Sequence, residues 1–165
     1  MITQGNMTMF FSQNDMFSNW YMADFIVKEV RFSCVEQLMM LCKAKLFGDE
    51  ETATKIMSAR HPRDHKALGR TVAGYVDEVW CARRERIVAH GCYAKFSQNP
   101  FLRDALLATG DTILVEASPY DRIWGVGLAE NDPRILDPKQ WKGSNLLGLA
   151  LEQTRHRLLG DDAAP

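Results

Sequence analysis

The sequence predicts an α+β domain, compact and mostly helical, with about six helices packed around a few short strands. Three observations lead there. Apolar residues recur at helical spacing in several separate stretches, strand-like runs are few and short, and strands do not alternate with helices in the doubly wound manner. No internal repeat or linker interrupts the 165 residues, a length that suits one domain with a self-sufficient core.

Residues 9–11 and 25–32 read as strands, the second (FIVKEVRF) with partial alternation. Between them FSQNDMFSNWYMAD is rich in turn formers yet holds Phe17, Trp20 and Tyr21. So much aromatic area in a loop implies that it packs down, over a ligand site. Residues 32–47 (FSCVEQLMMLCKAKLF) read as the central helix. Ser33 and Glu36 have capping-box spacing, and Val35, Leu38, Met39, Cys42 and Leu46 form the core stripe. After Gly48-Asp49 a helix is expected over residues 50–58, punctuated by His61-Pro62, then a short one over 64–69. Residues 77–93 form a longer helix with Val79, Trp80, Ile87, Val88 and Cys92 inward. Pro100 sits in the first turn of a helix that runs to Leu107, and residues 112–117 (TILVEA) read as a buried strand. Residues 131–139, with Asp-Pro twice, are a loop, and residues 145–158 the closing helix. The single domain is expected to span 1–160, with 161–165 a frayed tail.

A hydrophobic content of 46% with 25% charged residues suits a globular chain, and no run of about 18 apolar residues suggests a membrane span. The first residues lack a basic region before an apolar one, so no signal peptide is read and a cytoplasmic location is the expectation. Cys34, Cys42, Cys81 and Cys92 form no C-x-x-C pair and are expected as free thiols. His61 and His65 have chelating spacing, but Pro62 lies between them and no third ligand is near, so neither a metal nor a cofactor is expected. The net charge of −1 conceals ten Lys/Arg against four Asp/Glu between Lys55 and Arg103. That basic middle either faces phosphates, of a nucleotide or a nucleic acid, or is a solvated helix surface. Oligomeric state is not encoded legibly.

Three stretches carry possible chemistry. On the central helix Glu36, Met40, Lys43 and Phe47 share a second stripe, with Glu36 and Lys43 roughly 10 Å apart along the axis. A carboxylate and an amine framed by Met and Phe suggest a pocket wall; the plainer alternative is a capping glutamate and a snorkelling lysine. In SPYDRIWGVGL, Trp124 offers a stacking face, Asp121 an acid or base, and Gly125 a close backbone approach, unless the segment is simply a tight turn. In WKGSNLLG, Ser144 or Asn145 caps the last helix, whose free amides suit a phosphate. There is no G-x-G-x-x-G, Walker loop or nucleophile elbow.

FSQNDMFSNWY, VEQLMMLCKAKLFGD, KIMSARHPRDHKALGR, DEVW, YAKFSQNPFLRDALLATGDTILVEASPYDRIWGVGL and WKGSNLLG together resemble the NADAR, or YbiA-like, family, collinearly over residues 10–155. The resemblance implies a mostly helical α+β fold and N-glycosidase activity on the bond between a ribose-derived group and a base or amine. The substrates it implies are small molecules, ribosylamino intermediates of riboflavin synthesis, or ADP-ribosylated guanine, for which nucleic acid is a possible carrier. It matches Glu36 and Lys43 to the family's helix glutamate and lysine, Trp80 and Trp124 to its pocket tryptophans, and places Asn19 in its F-S-N segment, beside Trp20. Some members carry an aspartate where this chain has Val126, which leaves Asp121 as the stand-in carboxylate.

Such a bond breaks through an oxocarbenium-like state. The expected division of labour puts Glu36 at the ribose, Asp121 in support, Trp80 or Trp124 on the base, and Arg70 and Lys95 on phosphate. Lys43 either attacks C1′ of an opened ribose as a free amine or binds as an ammonium. Two other classes compete: a non-catalytic NAD or ADP-ribose-binding module, and a nucleic-acid-directed ADP-ribosyl-guanine hydrolase.

Overall fold

A small sheet and one helix end set the position of everything else. β1 (Ile2–Gln4) and β2 (Met7–Phe10) pair antiparallel, and β5 (Ile113–Glu116) joins β2 in parallel, from Met7 opposite Ile113 to Phe10 opposite Glu116. In this computed structural model, which describes residues 1–163, alternation gives each face of the sheet its own cover. Phe10 and Leu114 enter the main core with Leu147 and Leu151 of α6 (Leu146–Ala163), while Met7, Met9 and Val115 pack on Val126, Leu128 and Ile135 of the segment after β5.

Among the described residues the outer edge of β5 has no strand partner, and side chains just before and within α6 satisfy it instead. Asn145, in the left-handed region at φ 51°, accepts from the Glu116 amide (3.1 Å) and donates to the Leu114 carbonyl (2.8 Å); Glu152 accepts from the Leu114 amide (2.9 Å). Buried peptide groups on an edge need such partners. The approach depends on Gly148, where a Cβ would lie 2.0 Å from the Leu114 carbonyl oxygen. Neither backbone can move away without breaking the Asn145 bonds. Gly148→Ala should therefore destabilise the fold by about 1–3 kcal/mol or more despite alanine's better helix propensity. A urea midpoint at or above that of the wild type would contradict this packing.

Residues 25–32 fold as a hairpin rather than one strand. β3 (Phe25–Val27) and β4 (Val30–Phe32) turn at Lys28 and Glu29, both with positive φ, and Phe25 stacks on Phe32 at 5.8 Å where the hairpin meets the core. A two-residue turn of this kind normally advertises itself with Asn or Gly, which are absent here.

α1 (Val35–Leu46) is the central helix. α2 (Glu50–Ser58), α3 (Pro62–Gly69) and α4 (Asp77–Ser97) all pack on it, and α5 (Pro100–Leu107) follows on α4. The expected capping box does not form. Cys34 is the N-cap without a side-chain bond, and Gln37 takes the Ser33 amide (2.9 Å) and hydroxyl (3.0 Å). The Glu36 amide is satisfied by the Asn19 carbonyl at 3.0 Å. The aromatic loop thus caps α1, and the Glu36 carboxylate is released from that task. His61 caps α3 through the Arg63 amide, and His65 is buried against Cys34 Sγ and the Ala59 carbonyl. Asp132 and Asp137 each cap a single 3-10 turn within the loop after β5. The expected tail instead continues α6 to Ala163, where Asp161 accepts from the Tyr93 hydroxyl at 2.6 Å; the expectation for Ala164 and Pro165 lies outside the described residues. No described helix is long and apolar enough to cross a membrane.

Candidate active site

Four segments converge on a cleft of about 460 Å³, within the range of small-molecule sites. α1 presents Glu36, Met39, Met40 and Lys43, at the spacing that keeps side chains on one helix face. α3 presents Lys66 and Arg70, four residues apart; the capping loop brings Ser18, Asn19 and Trp20; and the end of β5 brings Glu116, followed by Tyr120 to Trp124. A second chamber of about 420 Å³ adjoins it, sharing Trp20, Lys66, Arg70, Glu116 and Asp121 and adding Ser12, Gln13 and Ser118.

Glu36 is only 3% exposed and accepts from Trp20 Nε1 at 3.2 Å. Burial raises its carboxyl to about 7, while Lys66, the Trp20 bond and Arg70 pull it down and Asp121 pushes it up. Lys43 Nζ donates to the Gly69 carbonyl at 2.7 Å and lies 4.3 Å from the Tyr75 ring centroid. Burial and the Arg70 charge lower its pKa, Asp77 opposing. Phe47, expected on this wall, instead packs edge-on against Tyr75 at 5.4 Å.

Asp121 lines both chambers, but its Oδ1 is committed to the Ile123 and Trp124 amides (2.9 and 2.8 Å), and its Oδ2 lies 4.0 Å from Lys66 Nζ. It shapes the loop that presents Trp124. Gly125 lies beneath that loop, where a Cβ would meet the Glu116 carbonyl at 2.9 Å and the Asp121 carbonyl at 3.0 Å. Its close approach is to the protein's own backbone rather than to the cleft.

Of the expected site residues, the cleft gathers Glu36, Lys43, Asp121, Asn19, Trp20, Arg70 and Trp124. Three others lie behind it. Trp80 is buried in the main core, its ring 5.8 Å from Lys43 Nζ. Lys95 is 1% exposed and donates to the Met16 (2.7 Å) and Ser18 (3.0 Å) carbonyls, so its ammonium holds the capping loop and cannot reach a phosphate. Asn145 is occupied by the β5 edge.

Sequence reading missed Lys66 and Glu116. HKALGR places Lys66 and Arg70 on one helix face, a signal available from spacing alone. Glu116 was an acid at the end of an otherwise apolar strand, and such an acid needs a reason. Its carboxyl is raised to about 8 by burial first, then by Asp121 and Glu36, with Lys66 opposing. Its Oε2 is buried with no hydrogen-bond partner among the described residues.

The model of the family described as NADAR domain matches residues 9–159 of the chain. N-glycosidase R617 of Acanthamoeba polyphaga mimivirus is 40% identical over 147 residues, which cover 85% of each chain. Protein irg-1 of Caenorhabditis elegans is 36% identical over 166 residues, 91% of this chain and 78% of that one. The solution NMR structure of the E. coli protein YbiA superposes with a TM-score of 0.80 at 26% identity, covering 99% of this chain and 91% of the other.

Proposed function

The chain belongs to the NADAR family, and on that premise we propose that its cleft hydrolyses the N-glycosidic bond between a phosphate-bearing, ribose-derived group and a base or amine. One observation carries the reading: Glu36, buried and bound to Trp20, lies in the same cleft as Lys43, Lys66 and Arg70. A carboxylate beside C1′ stabilises the positive charge that grows on the ribose and takes a proton from water. Lys66 and Arg70, with Ser12 and Ser118 in the adjoining chamber, give a phosphate cationic and hydroxyl partners. Trp20, Trp124 and Tyr120, the last 89% exposed at the rim, offer flat faces to a base. The phosphate role expected of Lys95 thus passes to Lys66.

The two substrate types in keeping with such a cleft are a ribosylamino intermediate of riboflavin synthesis and guanine-linked ADP-ribose, free or on nucleic acid. A chromatographic assay of base release from each, the second also on an oligonucleotide at two salt concentrations, tests the reading. Release from at least one is expected, and a nucleic-acid substrate would add a steep salt dependence. Binding of ADP-ribose without release of base from any of them would make the chain a binding module instead. Borohydride added during turnover separates the two roles of Lys43, because only an imine at Nζ leaves a reduced adduct on that residue.

A further inference from the structure

We propose that Glu116 is the proton donor to the leaving nitrogen, with Glu36 as the base toward water, a division that rests on the N-glycosidase reading above. The two carboxyls line one cleft but have unlike partners. Glu36 accepts an N–H from Trp20, which favours its anion. Glu116 has a buried Oε2 that no donor among the described residues meets. A buried carboxylate oxygen without a donor is expensive, and a proton lowers that cost by removing the charge.

The backbone of Glu116 is pinned on both sides. Its amide donates to Asn145, and its carbonyl accepts from Ser118 (2.9 Å) and Val126 (3.0 Å). The acid therefore projects from a rigid strand end into both chambers rather than from a mobile loop. Asp121 cannot take the part as readily, since its Oδ1 already accepts two amides and its Oδ2 faces Lys66.

The step balances without a co-reactant other than water. The C1′–N bond breaks with its electron pair going to nitrogen, and nitrogen takes the proton from Glu116. Water adds to C1′ and gives its proton to Glu36, which returns it through solvent to Glu116 before the next turnover. The charged groups facing Glu116 are Glu36 and Lys43 from α1, Lys66 and Arg70 from α3, and Asp121 and Arg122 from the loop. Burial raises both carboxyls, and at Glu36 the Lys66 charge, the Trp20 bond and Arg70 oppose that rise, so the pair favours an ionised Glu36 beside a protonated Glu116. The pair gives kcat/KM a rising limb from Glu36 and a falling limb from Glu116.

The test compares Glu116→Gln with wild type on two ribosides of equal ribose phosphate, one with an aminopyrimidine leaving group and one with p-nitrophenolate, which departs without a proton. Expected are a loss of about 10²-fold or more in kcat on the first, a change of no more than about threefold on the second, and disappearance of the alkaline limb. Equal losses on both, no loss on either, or a retained alkaline limb overturns the donor role. Wild type that releases base from neither riboside nor from guanine-linked ADP-ribose overturns the N-glycosidase reading and the donor role with it. Carbon-13 titration of the Glu116 carboxyl in the ligand-free protein, assigned with Glu116→Gln, should have its midpoint near 8. A midpoint in the ordinary carboxylate range overturns the proposal whatever the substrate proves to be.

Discussion

Glu36→Gln should lower kcat by about 10²-fold or more and at the same time raise the melting temperature of the protein. The two effects have one origin. Glu36 is 3% exposed, and burial raises its carboxyl from the ordinary value of 4.5 to about 7. A carboxyl raised in the folded state binds more protons folded than unfolded between those values, so its penalty is absent below pH 4.5 and complete above pH 7. The full penalty is roughly 3 kcal/mol, which glutamine avoids while still accepting from Trp20 Nε1. The melting temperature above pH 7 should then rise by roughly 5–10 °C, and the gain should vanish on acidification toward pH 4.5. A structural capping role would give the reverse pair of results, full activity and unchanged stability. Calorimetry at two pH values beside a turnover assay checks both halves.

That opposition between stability and activity was only partly legible in the sequence. The helical stripe of α1 was, and so was its polar face: Glu36, Met40 and Lys43 stand where their spacing put them. The capping box was not decidable from the sequence, because spacing shows that Ser33 and Glu36 can bond but not that Gln37 and the Asn19 carbonyl reach those groups first. Those competitors come from tertiary structure, from a loop sixteen residues upstream of Glu36 in the case of Trp20. The hairpin at Lys28-Glu29 was hidden for a local reason, since neither residue type signals positive φ. Lys95 was hidden by tertiary structure, as the capping competitors were. A lysine in the basic middle of the chain reads as a phosphate ligand, and no pattern in YAKFSQN shows that two loop carbonyls wait for it in the core. Glu116 ends a strand whose other residues are apolar, and a buried-strand pattern carries no cue that its last side chain lines a cleft.

Lys95→Met should leave the fold nearly as stable as wild type at pH 7 yet reduce kcat/KM by about tenfold or more, chiefly through KM. Lys95 is fully buried with no carboxylate paired to it among the described residues, and burial lowers its pKa to about 8. Its charge therefore burdens the fold at neutral pH, and methionine removes that burden while filling much of the volume. Against this, the Met16 carbonyl loses its donor, a penalty of about 1–3 kcal/mol that offsets the relief. The offset is pH-dependent. A lysine depressed in the folded state makes the wild type gain stability as pH rises from about 8 to 10.5, a gain the variant lacks, so Lys95→Met should fall behind the wild type in that window. Function has no such compensation. The loop that Lys95 holds at Met16 and Ser18 delivers Asn19 and Trp20 to the cleft, caps α1 through the Glu36 amide, and supplies the N–H that favours the Glu36 anion. Lys95→Ala adds a cavity to the lost bonds and should cost about 2–5 kcal/mol, seen as a melting temperature lower by roughly 10 °C. Full activity in Lys95→Met would mean that the capping loop holds its place without the ammonium, and the chain of contacts from α4 through the loop to Glu36 would not be what positions the carboxylate.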